Sequence, residues 1–206
     1  MILLVVVFYI FILVIGYLLG SLNMSLLLSK YYGKDIRNFG SGNAGATNTL
    51  RTFGKKAAVI SLVGDALKGI IACGIGYFIT MLIFENENGL LIAGMGAIFG
   101  HIWPVFFKFK GGKGVLTTFS VILMMDWELA LTLFAIFVII VLISKIVSLG
   151  SVIVATAFPI LAFIGIYNKK TDLFIITSIV LGSLVVYLHK DNIKRIVNGT
   201  EKKIGG

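Results

Sequence analysis

The chain has 206 residues, 58% of them hydrophobic and 13% charged, with a mean hydropathy of +1.04. A soluble core of this length cannot hide that much apolar side chain, so the composition excludes a soluble globular protein. The net charge of +9 suits lipid headgroups and phosphorylated small molecules, and no nucleic-acid partner is expected. The single cysteine, Cys73, lies inside an apolar run, which excludes disulfides and cysteine-based metal sites.

Cutting the chain at its charges predicts seven apolar spans, at about 4–28, 57–83, 89–107, 114–125, 129–147, 151–168 and 172–188. Most approach the ~20 residues that cross a bilayer, and the fourth is short. The expected fold is an all-α integral membrane protein with seven transmembrane helices, a single polytopic domain over residues 1–206. The opening run lacks a basic leader and is too long for a signal-peptide core, so it is expected to remain as the first span. Gly16/Gly20 and Gly96/Gly100 form small-xxx-small pairs suited to close helix packing. Pro104 and Pro159 predict a helix end and a kink. No internal repeat or low-complexity tract is evident.

Alternating the sides of the membrane places fifteen basic residues in one set of segments: Lys30, Lys34, Arg37, Arg51, Lys55, Lys56, Lys108, Lys110, Lys113, Lys145, Lys190, Lys194, Arg195, Lys202 and Lys203. The other set has only Lys169 and Lys170. Because basic loops stay in the cytoplasm, the N-terminus is expected outside and the C-terminus inside. The glycine-rich loops then all face the cytoplasm.

The first of these loops runs from Phe39 to Asn48 and holds Gly40, Gly42 and Gly45, with Arg51 one helical turn beyond Thr47. Three glycines in six positions free the backbone to gather N–H groups into an anion nest, with Ser41 and Asn43 adding neutral donors. Arg51 offers a bidentate fork for phosphate. The plainer reading is a tight reversal with an asparagine cap and an arginine among lipid headgroups.

In the second loop, Gly111, Gly112 and Gly114 surround Lys113 where a helix is expected to begin. Backbone amides, a helix N-terminus and an ammonium then converge on one anion. The spacing differs from a Walker A loop, since Gly114 follows the lysine. Lys108 and Lys110 suit a basic interface with anionic lipid, and His101 reads as an interfacial packing histidine.

The third segment places His189, Asn192 and Arg195 at three-residue steps, on one side of a helix leaving the last span. Ser148 and Ser151 open the sixth span, where capping is the simplest role and phosphate binding the alternative. Asp65 and Lys68 sit three residues apart inside the second span. Each costs about 2.5–3.5 kcal/mol unpaired at mid-bilayer, so a partnered pair supporting the site from below is expected.

Three stretches in register carry a family resemblance: Gly40-Ser-Gly-Asn-x-Gly-Ala-Thr-Asn48, His101-x-x-Pro-x-Phe-x-x-Phe-Lys-Gly-Gly-Lys-Gly114 and His189-x-x-Asn-x-x-Arg195-x-x-x-Gly-x-Glu201. Together they resemble the bacterial acyl-phosphate:glycerol-3-phosphate acyltransferases, from about Gly20 to Glu201. The resemblance implies a seven-helix enzyme of the bacterial cytoplasmic (inner) membrane with its active site facing the cytoplasm. It implies transfer of a fatty acyl group from acyl phosphate to the 1-hydroxyl of glycerol 3-phosphate, giving lysophosphatidic acid and phosphate, the first step of phospholipid synthesis. Ser41, Lys113, His189 and Asn192 are then the catalytic set. Asn43, Arg51, Gly111, Gly112, Lys113, Gly114 and Ser151 bind substrate phosphate, and Asp65, Lys68, Arg195 and Glu201 support them. Leu116 stands where relatives carry alanine, which bears on packing alone.

An acyl phosphate is an activated mixed anhydride, so neither cofactor nor metal is expected, and positioning with charge stabilisation carries the reaction. The His-x4-Asp pair of acyl-thioester-dependent enzymes is absent, since Phe106 and Lys194 stand five positions after the histidines. The proton from the attacking hydroxyl is expected to go to the donor phosphate, with His189 as the alternative base. Beyond the two substrates and membrane lipid, a monomer is expected, touching only transiently a soluble enzyme that makes acyl phosphate. The rival class is a transporter or channel for phosphorylated anions.

Overall fold

A computed structural model describes residues 2–164 and 171–204, all helix, turn or loop. Lys169, Lys170 and the end of the span expected over 151–168 lie outside the described residues. The chain divides into two compact units, Met1–Met125 and Asp126–Gly206.

The first unit holds α1 (Ile2–Gly20), α2 (Met24–Tyr31), α3 (Ala46–Phe53), α4 (Lys55–Phe84), α5 (Asn88–Ile102) and α6 (Val115–Met125). The glycine pairs do what their spacing predicts. A Cβ on Gly16 or Gly20 would run into the backbone of Ala93 or Ala97, and one on Gly96 or Gly100 into that of α1. Helices α1 and α5 therefore touch backbone to backbone, the contact open to small residues where lipid supplies no hydrophobic drive between helices. Ile12, Ala72, Ala93 and Ala97 form the core beside them.

The expected first span, 4–28, is interrupted at Ser21–Asn23. Asn23 is a helix N-cap in mid-run, its side chain accepting from the amide of Leu26 at 3.1 Å. Such a break leaves backbone groups without helical partners at membrane depth, where water cannot satisfy them. Side chains supply the partners. The Met24 amide donates to Asp65 Oδ1 (3.3 Å), and the Lys68 ammonium donates to the Leu22 carbonyl (3.5 Å). An unbroken apolar count misses this because Ser21 and Asn23 are two polar residues in a long hydrophobic stretch.

The second unit holds α7 (Trp127–Ser144), α8 (Val147–Ile164), α9 (Asp172–Leu188) and α10 (Lys190–Val197). Asp126 caps α7 and Thr171 caps α9. Pro159 lies within α8, where its missing N–H leaves the Ala155 carbonyl without its helical donor. Gly182 of α9 packs against that carbonyl, leaving no room for a Cβ.

Among the described residues, five stretches are long and apolar enough to cross a bilayer: Leu3–Tyr31, which contains the break, Lys55–Phe84, Asn88–Phe107, Trp127–Ser144 and Val147–Ile164. The pair α9 and α10, bent by 57°, makes a sixth if counted as one. At 11 residues α6 is shorter than a span. Large apolar side chains, among them Leu3, Phe78, Leu142, Ile143 and Phe163, lie exposed on these helices. A surface of this kind suits lipid tails.

Candidate active site

In the first unit the loop between α2 and α3 is organised by Asn48, which is 1% exposed. Its Oδ1 accepts from the Ser41 amide (2.9 Å), and its Nδ2 donates to the Ile36 and Phe39 carbonyls (3.2 and 3.0 Å). Gly40, at φ +61°, presses against that side chain so closely that a Cβ would collide with it. The Gly42 amide donates to Phe39, and the Gly45 amide to Asn43. The Ser41, Gly42 and Gly45 amides are thus engaged within the loop rather than turned toward an anion. What the loop presents is the exposed Ser41, the half-buried Asn43 and, one turn into α3, the exposed Arg51.

The second loop is tied to the first by Arg37, whose Nη1 donates to the carbonyls of Phe107 (3.2 Å) and Lys110 (3.3 Å). Asp35 steadies this guanidinium at 2.7 Å. In turn Arg37 holds the Asp35 carboxyl below its ordinary pKa, against a smaller opposing effect of burial. The amides of Gly111 and Gly112 donate to Ile102 and His101. They are engaged rather than presented to an anion, which corrects the expectation of a full amide cradle. Their role is shape. A Cβ on Gly111 would strike the His101 carbonyl, and one on Gly112 would strike His101 Nε2 and the Ala44 carbonyl. Gly114, at φ +74°, then opens α6, with Lys113 half-buried just ahead of it.

His101 is not an interfacial packing residue. It is 4% exposed and belongs to a buried cluster in which Lys68 Nζ lies 2.8 Å from Asp65 Oδ1 and 2.9 Å from His101 Nδ1. The expected Asp65–Lys68 pair is present, with a third member.

In the second unit His189 sits at the bend between α9 and α10 and is 3% exposed. Its Nδ1 lies 2.7 Å from the Val185 carbonyl, which only a protonated nitrogen can satisfy, so the neutral ring keeps Nε2 as acceptor. The segment after it explains the spacing of its motif. Asn192 and Arg195 share a face of α10, and the helix ends in a Schellman turn: the Thr200 amide donates to Arg195 and the Gly199 amide to Ile196. Gly199, at φ +68°, allows that reversal. It returns Glu201 to the helix, where the carboxylate accepts from Asn192 Nδ2 (2.6 Å), Arg195 Nε (2.6 Å) and Ser148 Oγ (2.7 Å). Burial pushes the Glu201 carboxyl up, but the hydrogen bonds from Ser148, Arg195 and Asn192 pull it down further, leaving it below its ordinary value. Neither serine caps α8: Ser148 serves Glu201, and Ser151 Oγ donates to the Val147 carbonyl at 3.0 Å.

The profile of the glycerol-3-phosphate acyltransferases matches residues 10–199. The chain belongs to this family. A glycerol-3-phosphate acyltransferase of Thermoanaerobacter pseudethanolicus is 44% identical over 193 residues, covering 93% of each chain. One from Clostridioides difficile is 43% identical over 202 residues, covering 96% of each. Among solved structures, the fold is similar to that of PlsY (YgiH), an integral membrane glycerol 3-phosphate acyltransferase. Its glycerol 3-phosphate form gives a TM-score of 0.85 at 36% identity over 96% of both chains, and its lysophosphatidic acid form gives 0.82 at 35% identity over 96% and 95%. This family member is thus an all-helical, multi-pass membrane protein whose three motifs fall in two clusters, one in each unit. Sequence reasoning placed Ser41, Arg51, Lys113, His189 and Asn192 on these elements. It missed Asn23, Asn48, Arg37 and the burial of His101. An amide inside an apolar run was the one visible signal for Asn23.

Proposed function

We propose that the protein transfers a fatty acyl group from acyl phosphate to the 1-hydroxyl of glycerol 3-phosphate, releasing inorganic phosphate and lysophosphatidic acid. The observation that carries this reading is the second loop. Lys113 stands between Gly112, seated on His101 and Ala44, and Gly114, which starts α6. A half-buried ammonium next to a helix N-terminus suits a phosphate. The 1-hydroxyl oxygen bonds to the acyl carbon, the bond from that carbon to the phosphate oxygen breaks, and the phosphate leaves with both bonding electrons. The hydroxyl proton passes to a phosphate oxygen of the donor. Lys113 and Arg51 take the roles of phosphate ligands, Ser41 and Ser151 serve the phosphoryl groups, and His189 with Asn192 serves the glycerol. The Nε2 acceptor of His189 and the Asn192 amide, oriented by Glu201, suit hydroxyl recognition. Gly111, Gly112 and Gly114 contribute the loop's shape, and Asn43 is a neutral donor beside Ser41.

The family profile spans both units, which supports residues 1–206 as one functional domain. Val115–Met125, shorter than a full span, counts as the seventh membrane helix in this proposal: its buried Thr117 and Ser120 bond to backbone carbonyls within the first unit. Fifteen basic residues against two support an outside N-terminus, a cytoplasmic C-terminus and a site on the cytoplasmic face of the bacterial cytoplasmic membrane. The protein acts as a monomer, with only transient contact to the soluble enzyme that makes acyl phosphate. A transporter of phosphorylated anions is the alternative, and the match to acyltransferases along the chain weighs against it.

One experiment tests donor and facing together. Inverted membrane vesicles and sealed right-side-out vesicles are given glycerol 3-phosphate with acyl phosphate, acyl-CoA or acyl-carrier protein. Phosphate release and lysophosphatidic acid are expected with acyl phosphate alone, and in inverted vesicles alone. Robust turnover with acyl-CoA would sink the donor assignment; turnover only in right-side-out vesicles would sink the orientation.

A further inference from the structure

Three buried titratable side chains, Asp65, Lys68 and His101, cluster among the helices of the first unit. Lys68 Nζ is 2.8 Å from Asp65 Oδ1, 2.9 Å from His101 Nδ1 and 3.5 Å from the Leu22 carbonyl. The side chains of Lys68, His101 and Asp65 are 6%, 5% and 3% exposed. An ammonium only donates, so His101 Nδ1 accepts and the proton of the neutral ring sits on Nε2. That edge of the ring is the one against which Gly112 is packed, together with the Ala44 carbonyl, with no space for a side chain at Gly112.

The same turn of α4 grips the chain on the other side of Lys113. The Asp65 carbonyl accepts from Thr117 Oγ1 at 3.2 Å, and Gly69 lies against Ser120 Oγ. Lys113 is thus carried on a short segment whose one end, Gly112, rests on the ring of His101 in the cluster, while the other, Thr117, is bonded to the main-chain carbonyl of Asp65. The cluster also reaches the α1–α2 break through Leu22 and Met24. In membrane proteins, carbonyls freed by such breaks coordinate cations; here a tethered ammonium occupies that place.

A buried ion pair contributes little net stability compared with apolar residues of the same volume, so folding alone does not call for one here. We infer that Asp65, Lys68 and His101 are positioning residues that set where Lys113 meets substrate phosphate. This rests on the proposed function only for Lys113 being a phosphate ligand.

The test uses the full chain in lipid nanodiscs. Glycerol 3-phosphate affinity, kcat/KM and Tm are measured for the wild type, for Asp65→Asn/Lys68→Met, which removes both charges at once, and for His101→Asn, which keeps an acceptor for Lys68 but takes the ring edge from Gly112. A ligand misplaced by about 1 Å costs ~10²-fold, so the pair variant is expected to lose ~10²-fold in kcat/KM at wild-type Tm, and His101→Asn about tenfold. In a Lys113→Gln background the pair change is expected to add less than about threefold, because its effect runs through the ligand already lost. Losses that multiply in that background, or wild-type kcat/KM and affinity in the pair variant, overturn the inference. If the pair variant does not fold, His101→Asn decides alone, and unchanged kcat/KM there overturns it. A wild type that binds glycerol 3-phosphate yet transfers no acyl group sinks the proposed function instead, and the affinities of the variants still decide the inference.

Discussion

The two units hold their polar residues by opposite means. In Met1–Met125 the central charges are inside the helices: Asp65 and Lys68 pair with each other and with His101, and they also take the Met24 amide and the Leu22 carbonyl freed at a helix break. In Asp126–Gly206 the centre is a carboxylate beyond the last helix, and its partners are side chains of Ser148, Asn192 and Arg195. The first arrangement is shut away from water. The second is open to acid, because Glu201 pairs with an arginine that is 40% exposed and takes its remaining hydrogen bonds from Ser148 and Asn192. Glu201 is moreover held by chain reversal: the Ile204 amide donates to the Lys145 carbonyl at 2.8 Å, fastening the tail to the end of α7.

The largest expected effect belongs to the first unit. Lys113→Ala removes the ammonium from a loop whose shape is set by Gly111 and Gly112, and leaves that shape in place. Loss of a preorganised charge at a developing phosphate is expected to lower kcat/KM by ~10³-fold or more while Tm stays at the wild-type value. Near-wild-type turnover removes Lys113 from the site and leaves the loop as a lipid contact.

The legibility of the two units differs for the same physical reason. Helix positions followed from apolar runs, and α4 and α9 begin and end within two residues of the expected 57–83 and 172–188. The glycine pairs of α1 and α5 were readable because close packing needs small residues at a fixed period. The break at Ser21–Asn23 was not, since its stability comes from Asp65 and Lys68, over forty residues away. His101 was misjudged likewise: its surroundings are Lys68 and Gly112, and nothing local predicts either. The glycine-rich loops showed where the backbone turns, but not which amides remain after Asn48 and the His101 and Ile102 carbonyls take theirs. The tail could be read, in hindsight, as a Gly199 reversal returning Glu201 to Asn192.

Acid sensitivity sharpens the comparison at an intermediate size. The folded pKa of Glu201 is below its unfolded value, so the stability it supplies is complete above the ordinary carboxylate range near ~4.3 and is lost as pH falls through the folded value. Asp35 in the first unit shifts in the same direction. Its pair with Arg37 is 39% and 29% exposed, however, so solvent screening leaves it a smaller share. Glu201→Gln keeps an acceptor but gives up the charge, and is expected to cost about 1–3 kcal/mol at neutral pH. Its melting temperature is also expected to fall less than the wild type's between pH 5 and pH 3. An equal fall in both proteins assigns the acid sensitivity elsewhere; Asp35→Asn, measured beside it, shows whether the first unit carries it.

The smallest expected effect concerns His189, and it decides how the second unit takes part in the reaction. With Nδ1 donating to the Val185 carbonyl, the neutral ring has its acceptor at Nε2. If it only recognises glycerol 3-phosphate, His189→Gln or His189→Asn raises the KM for that substrate and keeps measurable turnover, since an amide also accepts and donates near that place. If His189 is the base, the same changes lower kcat by ~10²–10⁴-fold and erase the acidic limb of the pH–rate profile. The donor phosphate as proton acceptor predicts the first outcome: a higher KM, a kcat within about tenfold of wild type and a limb that persists in the variant. A vanished limb with a large loss of kcat at unchanged KM assigns the proton to His189. In that case His189 acts as the base, and the donor phosphate serves as the leaving group alone.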